Sequence, residues 1–149
     1  MSLDSIFNVA GSGMAAQSLR LNTVASNLAN AESVSGTPEG AYRAREPVFA
    51  AIQRQQAALF GDGQGNGNAD AGATEGVRVL GITESQEPIP ERYEPGNPLA
   101  NADGYVYGSN VNPVDALVNM ISASRSYQNN VEVMNTAKQL MIKTLSLGQ

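Results

Sequence analysis

The two ends of this chain constrain its fold more than any other feature. Each carries a long helix-forming segment with apolar residues at heptad spacing, and each is nearly free of charge. Between residues 1 and 31 the charged side chains are Asp4 and Arg20. A helix that faces water along its outer side normally carries mixed charge there. Here the polar positions hold Ser, Asn, Gln and Thr instead. That pattern predicts helices covered by protein on more than one side.

In the first segment, alternating steps of four and three residues pass through Leu3, Phe7, Ala10, Met14, Gln17, Leu21, Val24 and Leu28, a seam interrupted by Gln17 alone. Gly11 and Gly13 each cost the helix up to about 1 kcal/mol relative to Ala, but they permit close approach of a neighbour. The run Ser26 to Asn30 reads as a helix end, because Asn tolerates the left-handed conformation of C-caps. At the other end, Asn112 suits an N-cap, Pro113 the first helical position and Asp115 the positive end of the macrodipole. The seam then reads Leu117, Met120, Ser124, Tyr127, Val131, Met134, Lys138, Met141 and Leu145. Lys138 and Lys143 lie toward the end where cations are favoured, and Gly148 follows as a stop.

The middle differs in kind. It holds 16 of the 23 charges, five basic against eleven acidic, and six of the seven prolines. Tyr42 to Phe49 reads as extended, Val48 to Phe60 as ambiguous with Ala and Gln favouring helix, Gly76 to Thr83 as a strand, and Tyr105 to Tyr107 as a short strand. Residues 61–75 form a Gly/Asn/Asp/Ala stretch read as a flexible insert. The organisation expected is therefore a helix over 1–30, an extended or β-rich middle over 31–111, and a helix over 112–149. The fold class is α+β, with the two long helices forming a coiled-coil-like pair and a small β-rich, loop-rich segment between them.

Several function classes are excluded or disfavoured by composition. A net charge of -5 with two lysines argues against nucleic acid as a ligand. The absence of Cys and His removes disulfides, thiolate nucleophiles, Ser-His triads and most zinc sites. No stretch approaches the roughly 20 apolar residues of a membrane span, and the start lacks the basic and apolar regions of a Sec-type signal. Asn101-Ala102-Asp103-Gly104 has the wrong spacing for a calcium loop and reads as a turn. Glu84, Glu87, Glu91 and Glu94 lie in a segment broken by proline and read as solvated surface, not as an acid–base pair. The glycine-rich run from Gly61 to Gly67 matches no phosphate-binding loop. No catalytic residue, cofactor, metal or small-molecule substrate is expected. Two long low-charge seams favour an assembly subunit over a simple hairpin. A carboxylate-dependent hydrolase and a soluble adapter for one partner helix are the competing classes.

The end of the first helix, Val24-Ala25-Ser26-Asn27-Leu28-Ala29-Asn30-Ala31, resembles the N-terminal motif of bacterial flagellar axial proteins, the rod and hook subunits. That motif usually continues to a Thr, where this chain has Ser33 nearby. The run Val118 to Asn130 resembles the matching C-terminal motif. Within the family, Tyr42-Arg43-Ala44-Arg45, Gly76-Val77-Arg78-Val79, Pro95 to Ala100 and Ala102 to Val106 resemble the proximal rod branch. The resemblance covers most of the chain apart from the insert. It implies a structural subunit of the basal-body proximal rod, polymerising through its terminal helices and passing torque from motor to hook. A different rod or hook-junction subunit is the alternative within the family. The implied partners are its own copies, other proximal and distal rod proteins, the rod-to-membrane-ring adapter and the flagellar type III export apparatus. The implied location is the rod spanning the periplasm, reached without a cleaved signal peptide. Expected subunit-packing residues are Leu21, Val24, Asn27, Leu28 and Asn30 on the first helix, with Met120, Arg125, Tyr127, Val131 and Met134 on the last. Asn27, Asn30 and Arg125 are the polar members expected to fix register.

Overall fold

The computed structural model describes residues 3–53 and 74–147. Among the described residues two long helices, α1 (Leu3–Ala29) and α2 (Pro113–Leu147), flank five strands: β1 (Val34–Ser35), β2 (Arg45–Gln53), β3 (Thr74–Glu84), β4 (Glu91–Tyr93) and β5 (Tyr105–Gly108). The α+β class and the order of helix, β-rich middle and helix agree with the sequence. Among the described residues no helix is long and apolar enough to cross a membrane.

The helix ends form as their residues dictate. Asn30 closes α1 by donating its side-chain amide to the Ser26 carbonyl at 2.8 Å, while its own carbonyl accepts from the Ser33 hydroxyl at 2.7 Å. Both carbonyls also accept a main-chain amide, Ser26 from Asn30 and Asn30 from Ser33, each at 3.2 Å, so the helix end is tied twice over. Asn112 caps α2, its Oδ1 accepting from the Val114 amide at 3.0 Å. Pro113 sits at the first helical position, where its missing N–H is no loss. The expected stop at Gly148 lies outside the described residues.

The strands make two small antiparallel sheets. β5 is the centre of one, with β1 and β4 on either side. Val106 on β5 is fully buried and pairs with Arg92, so the centre of this sheet is its apolar anchor. Tyr93 and Tyr105 face each other across β4 and β5, their rings edge-to-face with centroids 5.2 Å apart. The turn before β5 is the one read from Asn101 to Gly104. Asn101 Oδ1 accepts from the amides of Asp103 and Tyr105, and Gly104 takes φ +83°, a value L side chains rarely adopt.

β2 and β3 form a two-stranded hairpin that packs against α1, with register shifts at Val48/Phe49 and Ile52/Gln53. Residues 48–53 are therefore strand, against the helical preference of their Ala and Gln content. A partner strand across the hairpin supplies hydrogen bonds that local propensity does not see. Pro47 is tolerated because β2 has an unpaired edge. The expected insert at 61–75 falls outside the described residues except for 74 and 75, which belong to β3, and the remainder of the ambiguous stretch, 54–60, falls outside them too.

α1 and α2 pack against each other in antiparallel fashion. Arg20 Nη2 donates to Asn119 Oδ1 at 2.8 Å near one end of the contact, Gly13 lies under Asn130, and Ile6 lines a groove with Ala137 and Leu140 near the other. A Cβ on Gly13 would come within 2.8 Å of Asn130 Nδ2, so this glycine lets the Asn130 side chain lie against α1 where a larger residue would displace it. Gly11 has open space around it and carries no such constraint.

Candidate assembly interface

The buried positions of α2 are Ala116, Ala123 and Ala137, spaced by seven and fourteen residues, with half-buried Asn130 completing the repeat. The expected seam ran through Leu117, Ser124, Val131 and Lys138, one residue further on. The period was legible and the expected members Met120 and Met134 are half-buried on this side, but at the alternate positions the inward residue comes one place earlier, about 100° around the helix. Small residues win the inward position because the helices approach closely enough to seat Asn130 over Gly13. A Leu or Ile there would force the pair apart.

Larger side chains are consequently left outside. Val114, Leu117, Val118 and Ile121 form an exposed apolar ridge on the first turns of α2, with Val118 at 60% exposure. Further along, Val133 and Leu140 are exposed beside the groove that Ile6 lines. Met141, Ile142 and Leu145 are exposed in the last turns, which extend past the point where Ile6 meets Ala137. Isolated apolar side chains on a surface are ordinary, but a contiguous set on one helix marks a contact surface.

α1 is covered on two sides, by α2 and by the hairpin. Ala10, Ala16, Thr23, Val24 and Asn27 are buried. Of the expected seam, Ala10 and Val24 are among these, while Phe7, Met14, Gln17, Leu21 and Leu28 are half-buried along its margin. Facing away lies a low-charge stripe of Ala15, Ser18, Asn22, Ala25 and Ala29, all exposed.

The expected subunit-packing residues divide accordingly. Val24 and Asn27 are buried within the chain. Leu21, Leu28, Asn30, Met120, Val131 and Met134 are half-buried, and Arg125 and Tyr127 are exposed. The structure brings Leu21, Val24 and Leu28 onto one side of α1, whereas Arg125 lies on the side of α2 away from Ala123.

Asn27 carries a distinct geometry. Its Nδ2 donates to the Arg45 carbonyl at 2.8 Å, and its Oδ1 accepts from the Arg45 amide at 2.9 Å and from the Tyr42 hydroxyl at 3.0 Å. A side-chain amide here imitates a strand residue and binds both main-chain groups of Arg45. The neighbouring residues extend the junction. Ala44 donates its amide to Asn110 Oδ1 at 2.7 Å, and Asn110 Nδ2 donates to the Glu87 carbonyl at 3.1 Å. Arg43 Nη1 donates to the carbonyls of Ser85 and Glu87, and the Ser85 amide donates to the Ala44 carbonyl. Arg45 pairs with Glu84 at 3.2 Å on the surface. A second tie holds the hairpin further along α1, where the Val77 amide donates to Ser12 Oγ at 3.1 Å. Gly76 precedes it with φ +148°, and a Cβ there would collide with the Ser12 side chain. Sequence reasoning did not single out Asn110, Ser12 or the alanine stripe. The seven-residue recurrence of Ala116, Ala123 and Ala137 was the available signal for the last; the others are brought together only by the tertiary fold.

Among the described residues no cluster of His, Cys, Asp or Glu is arranged to hold a metal. A polar cleft of about 500 Å³ lies at the junction, lined in part by Arg20, Asn27, Glu46, Asn110 and Asp115. Arg20, Asn27 and Asn110 in its wall are already engaged in holding the chain.

The chain is similar in sequence to known proteins along its whole length. A family model described as flagella basal body rod protein matches residues 7–36, which hold most of α1. A second, described as flagellar basal body rod FlgEFG protein C-terminal, matches residues 102–147, which hold β5 and α2. The flagellar basal-body rod protein FlgC of Salmonella typhimurium is 52% identical over 149 residues, covering 100% of both chains. Its counterpart in Yersinia enterocolitica is 52% identical over 151 residues with the same full coverage. That of Bacillus subtilis is 36% identical over 147 residues and 95% of each chain. The chain belongs to the FlgC family of flagellar basal-body rod proteins. It is a structural protein of the flagellar basal body and not an enzyme. For a FlgC-family chain, the exposed ridge on α2 and the low-charge stripe on α1 are the surfaces of interest, because a rod subunit must present contact area to its neighbours.

Proposed function

We propose that this chain is a subunit of the proximal rod that polymerises through α1 and α2, and that the two helices pack in coiled-coil fashion with those of neighbouring subunits. The observation that carries the reading is the inverted size pattern of α2: small residues inside the pair, large apolar residues outside it. A helix pair of this kind closes on itself without using its most apolar side chains, which gain their burial from neighbours. Contacts of the ridge on one copy with a different surface on the next are heterologous and propagate as a helical array, not a closed dimer. Close-packed side chains deform little, so such an array can pass torque from motor to hook.

Partners consistent with this reading are further copies, the other proximal and distal rod proteins and the adapter to the membrane ring. Export through the flagellar type III apparatus without a cleaved signal, to a rod spanning the periplasm, belongs to the same proposal. The net charge of the middle segment makes it suited to the solvated outer layer. Leu21, Leu28, Met120, Tyr127, Val131 and Met134 are proposed to complete the intersubunit packing at the margins of the helix pair, and Arg125 to set register.

The test is complementation of a cell lacking its own proximal rod protein. The unsubstituted chain is expected to restore swimming and to be recovered in purified basal bodies. The double variant Leu117→Asp/Ile121→Asp, which keeps the inner alanine face, is expected to fold but to be absent from basal bodies. Recovery of that variant at parental levels would overturn the reading.

A further inference from the structure

The run from Tyr42 to Arg45 is tied to α1, to the segment after β3 and to the residues before α2, mostly through main-chain groups. Arg45 is held to α1 by both its amide and its carbonyl through Asn27. Ala44 is held by its amide to Asn110, just before α2, and by its carbonyl to the Ser85 amide, just after β3. Arg43 reaches the carbonyls of Ser85 and Glu87. Tyr42 returns to α1 through Asn27 at 3.0 Å, with the Ser26 hydroxyl 3.3 Å away. Bonds to main-chain groups specify the path of the chain, whereas side-chain pairs on a surface leave it free.

We infer that Asn27, Asn110 and residues 42–45 form a rigid polar joint that fixes the orientation of the β2–β3 hairpin relative to the helix pair, with Asn27 and Asn110 as its positioning residues. Packing alone is a poor candidate for this task. Val48, Ile52, Leu80 and Ile82 of the hairpin are exposed, so much of its apolar surface grips nothing within the chain. The joint also explains the chemistry chosen. Asn27 is buried and must both donate to and accept from Arg45, which a carboxylate cannot do. The inference rests on the rod-subunit reading for its purpose, since a layer that passes torque needs a stiff connection to the helices beneath it. Its geometry stands apart from that reading.

The chain has no cysteine, so two introduced cysteines can be spin-labelled without background. Gly81→Cys on the hairpin, where an added Cβ meets nothing within 4 Å, and Gln128→Cys on an exposed position of α2 report the orientation directly. Pulsed electron–electron distance measurement on the free full-length chain is expected to give one narrow distribution. Asn27→Asp and, separately, Asn110→Ala are expected to widen it about twofold with helicity retained, because main-chain groups left without partners are re-solvated by opening the joint. Glu84→Gln, which removes only the surface ion pair with Arg45, is expected to leave it unchanged. Should Asn27→Asp lose its helical signal, the Asn110→Ala distribution decides. Distributions as narrow as the parent's in the asparagine variants would overturn the joint while leaving the functional reading intact. Conversely, an unsubstituted chain absent from basal bodies would overturn the functional reading and leave the joint standing.

Discussion

On the side of α2 turned toward α1, the buried residues are Ala116, Ala123 and Ala137; on the far side, Val114, Leu117, Val118 and Ile121 stand in solvent. A self-sufficient helical hairpin would have the opposite arrangement, with its large apolar residues between the helices and small or charged ones outside. The difference separates two tasks. The small inner residues hold two helices of one chain close together, with Asn130 seated over Gly13. Large outer residues remain available for a second molecule. On the proposed reading one helix serves two interfaces with different packing rules, and substitutions on its two faces should have unlike consequences.

The largest effect on the free chain is expected inside. Ala123→Leu forces three additional heavy atoms into a site with no exposure. It should lower unfolding stability by about 1–3 kcal/mol, as overpacking typically does, read from the midpoint of urea denaturation. Asn27→Ala comes next, since it deprives the part-buried amide and carbonyl of Arg45 of their partner on α1. About 2 kcal/mol is expected from unsatisfied buried hydrogen-bonding groups, with faster hydrogen exchange at the Arg45 amide as the local signature. Asn112→Ala removes the N-cap of α2 and should cost about 1 kcal/mol, visible as a lower thermal midpoint. Smallest is Ile121→Ala on the outer face, expected to leave the free chain within about 0.5 kcal/mol of the parent. A loss at Ile121 as large as that at Ala123 would erase the distinction between the two faces.

The sequence made much of this readable, and its failures have physical causes. The caps at Asn30 and Asn112 and the turn at Asn101 to Gly104 were legible because each rests on local chemistry. The heptad period of both helices was legible for the same reason. On α2 the exact inward positions were not: a seam traced through the most hydrophobic side chains passes through Leu117, Ser124 and Val131, while close approach selects Ala116, Ala123 and half-buried Asn130, one residue earlier. Residues 50–53 stayed ambiguous, with helix favoured, because their pairing partner, β3, lies across the intervening segment 54–73. Asn27 was singled out by motif, yet its bonds to Arg45 and Tyr42 join residues 15 to 18 positions apart, which no local pattern encodes. Resemblance at the two ends identified the family where composition alone could say only that the ends want neighbours.

The central claim is that the outer face of α2 is covered by other subunits in the assembled rod. Because the chain lacks cysteine, Ile121→Cys introduces a single thiol whose reaction with a maleimide can be followed in the free chain and in purified basal bodies. The account predicts rapid labelling of the free chain and strong protection after assembly, with an exposed residue of the middle segment such as Gly96→Cys labelled in both. Equal labelling of Ile121→Cys in the two states would contradict it.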